Sequence, residues 1–205
     1  RSSSMFSSCS HLTTLDVSLF VTSNVTTFSS MFSSCSSLNA IDVSNFDTSK
    51  ALDMSSMFSN CSKLTSIDVS HFDTSLVGSM SYMFSGCALL TSIDVSDFNT
   101  ASVTNMYYMF YGCKKISILT FNFDTSLVTD MRYMFYNNQS LTTIHSNSFA
   151  LNVNLNSLHM FEFCTSLVGG NGTTYDLSHS DASYAHIDEP RSRSEERRVG
   201  KECRS

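Results

Sequence analysis

The chain has 205 residues and a formal net charge of −6; 42 residues are serine, 15% are charged and 41% are hydrophobic. An apolar content that high, evenly spread, excludes a highly charged disordered tail, and no apolar run reaches the roughly 18 residues of a membrane span. The body carries no basic cluster, so nucleic acid is not an expected partner.

A repeat governs everything that follows. Met5, Met31, Met57, Met83, Met109, Met134 and Met160 each open a copy of the motif written MFSSC, MFSNC, MFSGC, MFYGC, MFYNN or MFEFC, at steps of 26, 26, 26, 26, 25 and 26. Seven residues after each Met stands Leu12, Leu38, Leu64, Leu90, Ile116, Leu141 or Leu167. Further apolar columns hold Leu15, Ile41, Ile67, Ile93, Leu119 and Ile144, then Val17, Val43, Val69, Val95 and Phe121, then Phe20, Phe46, Phe72, Phe98, Phe123 and Phe149. The short copy loses its residue between Phe121 and Phe123, in the turn after the strand.

Polar and apolar residues alternate in Ser66-Ile67-Asp68-Val69-Ser70, the pattern of a half-buried strand. The repeat therefore predicts strands near 14–18, 40–44, 66–70, 92–96, 118–122 and 143–147, paired in parallel. Asp73-Thr74-Ser75 supplies helix N-cap candidates, and Val77, Met80, Met83 and Phe84 follow at helical spacing. One such unit cannot bury enough surface to offset the ordering of about 26 backbones, at roughly 1–2 kcal/mol each, so the copies must stack. The expected fold is α/β: a right-handed leucine-rich-repeat solenoid over 1–170, with parallel strands on one face and short helices or turns on the other. Residues 171–190 are expected to form a partial C-terminal cap.

Residues 193–205, RSEERRVGKECRS, carry five Lys/Arg and three Glu in 13 positions and follow no repeat register. The string resembles one reading frame of a sequencing adapter, and 191–205 is set aside as non-native. Without 193–205 the chain keeps seven Lys/Arg and 15 Asp/Glu, a net charge of −8, and six cysteines. The tail is expected to make no contact with the repeats. Met5 already stands inside a repeat, so the natural N-terminus is expected to lie upstream.

MFSNCSKLTSIDVSHFDTSLVGSMSY resembles the repeat of BspA-like leucine-rich repeat proteins, over roughly Met5 to Leu167. That family occurs on bacterial surfaces, including mycoplasma-type lipoproteins, and in some parasitic protists. The stretches 164–175 and 185–188 resemble its terminal cap. The resemblance implies an extracellular or cell-surface adhesion or ligand-binding protein and offers no catalytic residues to transfer.

The chemistry-bearing columns have bland readings beside functional ones. Cys9, Cys35, Cys61, Cys87, Cys113 and Cys164 suit buried free thiols; a disulfide framework or a metal site competes. Asp16, Asp42, Asp68 and Asp94 form an outward column whose like charges repel; solvent, serine hydroxyls or a calcium ion could offset that. The Asp-Thr-Ser segments at 47–49, 73–75 and 124–126 fit helix capping and turn formation better than an ice-binding threonine array. Tyr82, Tyr107, Tyr108, Tyr111, Tyr133 and Tyr136 are convex filler or a second contact face. Six histidines and four glycosylation sequons carry no pattern.

No nucleophile–base pair, phosphate loop or H-E-x-x-H is present. The leading expectation is a non-catalytic, monomeric binding or adhesion module without cofactor or metal. It would recognise a host or neighbouring-cell protein or glycan through the strand-lined face, with Asp16, Asp42, Asp68, Asp94, Ser44, Ser66, Ser70, Ser92 and Ser96 as ligand-binding residues. The alternative is a stalk or spacer that displays another domain.

Overall fold

A computed structural model describes residues 3–146, 152–169, 174–178 and 180–182. Successive 26-residue copies lie one on another as coils. Parallel bridges join Thr27 to Asp53, Asp53 to Ser79, Ser79 to Asn105, Asn105 to Asp130 and Asp130 to Asn156. From each bridge a ladder continues into the Met-Phe motif: Phe28, Ser30, Phe32 and Ser34 donate their N–H groups to the carbonyls of Asp53, Ser55, Met57 and Ser59 at 2.7–2.9 Å. The intervening N–H groups turn back on their own coil. Met31 donates to Phe28, Ser33 to Ser30 and Cys35 to Phe32. Alternate backbone donors thus close turns and join coils, and the buried polar backbone is satisfied without helix or broad sheet.

No α-helix occurs among the described residues; of the expected short helices or turns, the turns form. Val77, Met80, Met83 and Phe84 are buried as the spacing required, but the backbone between them is a run of turns. Two residues per coil sit in the left-handed region: Ser30 and Ser34, Ser56 and Asn60, Tyr82 and Gly86, Tyr108 and Gly112. A right-handed helix cannot pass through such residues, whereas a type II turn requires one at its third position.

The strands are also fewer than expected. β1 (Ile118–Phe121) and β2 (Thr143–Ser146) pair in parallel, with Ile118 opposite Thr143 and Phe121 opposite Ser146. The segments at 14–18, 40–44, 66–70 and 92–96 are not strands; residue 147 lies outside the described residues, as do Phe149 and 193–205. These four segments share a single inter-coil bond per step near their start, from Asn39 to Thr13, Thr65 to Asn39 and Thr91 to Thr65, at 3.2–3.3 Å. The reason lies in Asp-Val-Ser. Ser18, Ser44, Ser70 and Ser96 donate N–H to Oδ1 of Asp16, Asp42, Asp68 and Asp94 at 2.9–3.0 Å. A carboxylate that captures the amide two residues on offers the backbone an alternative to a ladder. In β1 and β2 that position is Thr120 and His145, and there the strands form.

The alternation of burial is clear in the middle coils. Ile67 and Val69 are buried while Ser66, Asp68 and Ser70 are exposed. Inside, Phe32, Phe58, Phe84, Phe110, Phe135 and Phe161 stack with ring centroids 5.5–5.8 Å apart. Each such pair contributes about 0.5–1.5 kcal/mol beyond its buried area. At the last coil the N–H of Phe161, which elsewhere meets the next coil, donates to Ser180 at 2.7 Å.

Gly86 illustrates how tightly the left-handed column is filled. Its φ is +73°, and a Cβ there would run into the Asn60 side chain, while one at Gly112, with φ +66°, meets nothing within 4 Å. Gly86→Ala should therefore lower the urea midpoint more than Gly112→Ala, and Asn60→Gly should return most of the difference. Equal midpoints for the two alanine variants would show that the packing at Asn60 is not felt.

Candidate functional site

The expected binding residues fall in one exposed column. Asp16, Asp42, Asp68 and Asp94 face solvent, with Ser44, Ser66, Ser70 and Ser92 exposed beside them and Ser96 half-buried. Ser70 and Ser96 also donate their hydroxyls to the same carboxylates at 2.7 Å. The serine hydroxyl, followed by the serine N–H, holds each carboxyl below its ordinary value of 3.8. Asp68 pushes weakly the other way on Asp42 and Asp94. The column is therefore a row of fixed charges, each with Oδ1 engaged by its own turn. Among the described residues no three His, Cys, Asp or Glu converge on a possible metal position.

Of two further columns of the same kind, one was read from the sequence as helix caps or turns and the other not at all. Asp47, Asp73 and Asp124 accept the N–H of Ser49, Ser75 and Ser126, and Asn99 accepts that of Ala101. Asp53, Asn105 and Asp130 accept the N–H of Ser55, Tyr107 and Arg132. Each coil is thus bent by side-chain turns of the Asx type, and the recurring D-x-S spacing was the signal. The threonine of the Asp-Thr-Ser segment is no surface array. Thr48, Thr74 and Thr100 are buried and donate their hydroxyls to the carbonyls of Asp73, Asn99 and Asp124 in the next coil, each at 3.0 Å.

The cysteines do more than fill space. Cys35, Cys61, Cys87 and Cys113 are free and buried, and their thiols point at the carbonyls of Phe6, Phe32, Phe58 and Phe84 at 3.1–3.2 Å. Where Asn138 replaces cysteine, its Nδ2 donates to Phe110 at 3.0 Å; the ladder resumes with Cys164 to Phe135. The column therefore requires a small donor toward a carbonyl of the preceding coil. Burial pushes the Cys61, Cys113 and Cys164 thiols up to about 12, so no reactive thiolate exists there near neutrality.

The opposite edge of each coil carries the aromatic residues. The turns Met106–Met109 and Met131–Met134 place Tyr107-Tyr108 and Arg132-Tyr133 at their centres, and Phe110–Cys113 places Tyr111-Gly112. Tyr82, Tyr108, Tyr133 and His159 all have φ near +58° and stack at centroid separations of 5.1, 4.7 and 5.0 Å. Tyr111 stacks on Tyr136 at 5.4 Å. Arg132 lies over the Tyr107 ring at 4.9 Å and pairs with Asp130 at 2.6 Å; His159 faces Glu162 at 2.5 Å. In the N-terminal coils the same turn positions are Ser29, Ser30, Ser33 and Ser34, then Ser55, Ser56, Ser59 and Asn60. The sequence located the tyrosines but not their stacking, which depends on the left-handed turn.

Two outcomes follow. Thiols whose folded values are raised above the ordinary 9.0 stabilise below that value, and this contribution falls away as pH rises toward about 12. At pH 8, native protein should label Cys9 rapidly and Cys35, Cys61, Cys87, Cys113 and Cys164 only as it unfolds; prompt labelling of the whole ladder would contradict its burial. The lowered carboxyls act in the other direction. Their contribution is present above pH 3.8 and lost as pH falls through their folded values. Replacing Asp42, Asp68 and Asp94 by Asn should therefore blunt acid unfolding, read as the pH midpoint by circular dichroism.

No curated protein matches the chain. Among solved structures, a crystal structure of a leucine-rich repeat protein from Bacteroides ovatus ATCC 8483 is similar over 82% of this chain and 68% of that one, at 16% identity and a TM-score of 0.25. The sequence profile described as "Mycoplasma protein of unknown function, DUF285" matches residues 1–117 and 90–192. That agrees with the mycoplasma-type resemblance carried by the repeat. The chain belongs to the DUF285 family.

Proposed function

We propose that this chain is a non-catalytic binding or adhesion module of the cell surface, built as a leucine-rich-repeat type solenoid. It recognises a protein or glycan surface through the face that carries Asp16, Asp42, Asp68 and Asp94. The observation that carries this reading is the row of exposed carboxylates, each locked by its own Asp-x-Ser turn and set one coil apart. A charge held in place loses little entropy on binding, and the small neighbours Ser44, Ser66, Ser70 and Ser92 leave the row open to a broad partner rather than a buried small molecule. The partner is expected to be basic, with association slowed by salt. A spacer role is the second reading, because the same carboxylates already serve to bend the coils.

One variant separates the two. Asn can replace Asp in these turns, since Asn99, Asn105 and Asn152 accept the corresponding N–H groups in this chain at 2.9–3.2 Å. Asp42→Asn, Asp68→Asn and Asp94→Asn together should therefore keep the fold while removing three charges. Against a panel of matrix proteins and glycans, the parent should capture a partner in a salt-dependent way, and the triple variant should capture it weakly with a flatter salt dependence. A parent that binds nothing supports the spacer; a variant that binds as the parent does moves the site to another face.

A further inference from the structure

We propose that the tyrosines of the turn edge are a site of oxidative modification, where a one-electron oxidant staples successive coils through dityrosine, Tyr108 to Tyr133 and Tyr111 to Tyr136. Tyr108 and Tyr133 stack at 4.7 Å with an interplanar angle of 15°, and Tyr111 and Tyr136 at 5.4 Å and 14°. The members of each pair hold equivalent places on adjacent coils, 25 residues apart. Tyr108 and Tyr133 also leave the backbone at nearly the same φ, +57° and +59°, so the two side chains run side by side. Tyr107 stands edge-on to Tyr82, Tyr108 and Tyr133 at 80–86°, with Arg132 over its ring. It braces the stack and lies outside the parallel pairs. Stacking as such does not call for a phenol, because the interior Phe column stacks at 5.5–5.8 Å without one.

A second observation is which oxidisable side chains stay within reach. Thiols and thioethers are the usual first targets of oxidation. Here Cys35, Cys61, Cys87, Cys113 and Cys164 are buried, as are the methionines from Met31 to Met160. Among the described residues only Cys9 and Met5 are exposed. The chain has no Trp to compete for the oxidant, whereas Tyr108, Tyr111, Tyr133 and Tyr136 are only half-buried. The chemistry balances with a haem peroxidase and hydrogen peroxide as the oxidant. Each phenol gives up one electron and its hydroxyl proton. The two radicals join through ring carbons beside their oxygens, and each of those carbons then passes its hydrogen to the ring's own oxygen. Two hydrogens leave the pair, and the peroxide becomes two waters. Coupling between separate phenols requires two short-lived radicals to meet; rings already held side by side avoid that encounter. The inference is independent of the carboxylate row and of any partner that row takes.

The link can be read directly. After its accessible thiols are blocked, the intact chain is treated with a haem peroxidase and limiting hydrogen peroxide, and the monomer is isolated and digested with trypsin. Cleavage after Lys63, Lys114 and Arg132 separates Tyr108 and Tyr111 from Tyr133 and Tyr136. The expected product joins the peptide 64–114 to the peptide that begins at Tyr133, with two hydrogens lost and dityrosine emission. Fragmentation of that product should place the bond at Tyr108–Tyr133 or Tyr111–Tyr136. Tyr133→Phe together with Tyr136→Phe keeps the stacked rings and removes two phenols, and should lower the yield of the joined peptides about tenfold or more. A monomer without dityrosine, under conditions that couple free tyrosine, would overturn the proposal. So would dityrosine confined to covalent dimers, since the rings would then be reacting between molecules. A joined product that persists undiminished in the double variant, or a bond placed at Tyr107 or Tyr175, would overturn it as well.

Discussion

One alternation in the backbone supports the rest of the molecule. Along 28–35 and its equivalents, every second N–H closes a turn on its own coil and every other one reaches the next coil. Neither half would hold alone. Consecutive turns without a neighbour leave donors exposed, and a ladder without turns would run on as a strand. Together they satisfy the buried backbone while turning the Met and Phe side chains inward, where Phe32, Phe58, Phe84, Phe110 and Phe135 and the Met column from Met31 to Met160 are buried. A single coil gains little from this, so stability comes from neighbours.

The polar side chains complete what the backbone leaves open. Asp or Asn at the bends captures an amide two residues on. Buried Thr and Cys donors each reach a carbonyl of an adjacent coil. At 138 the column keeps its donor although the residue changes. Asn138 makes the same bond to Phe110, but its Oδ1 is buried with no partner. An unpaired buried acceptor costs free energy that a thiol would not.

Because the scaffold repeats, a face changes character only where a column departs from the repeat. The carboxylate row fills the N-terminal coils and gives way to Thr120 and His145 where the strands form. The turn edge runs from serine in the first coils to tyrosine in the later ones. A column of carboxylates and an edge of stacked aromatic rings are thus set on one stack at the same coil spacing, the carboxylates fixed by their turns and the rings by one another.

Much of this was legible from residues alone. The 26-residue period, the buried Ile and Val against exposed Asp and Ser, the buried Met, Phe and Cys columns, and the stacking of copies all follow from side-chain chemistry repeated in register. Tertiary structure decided which side carries the ladder and which carries turns. Apolar spacing of three and four at Val77, Met80, Met83 and Phe84 describes equally a helix and a run of turns, and only the left-handed φ at Tyr82 and Gly86 separates them. The strands at 118–121 and 143–146, and their absence at 66–70, turned on a contest between Asp-x-Ser capture and the neighbouring coil. The tyrosine stack arose from the pitch of the coils, a distance between residues 25 or 26 apart that no local pattern contains.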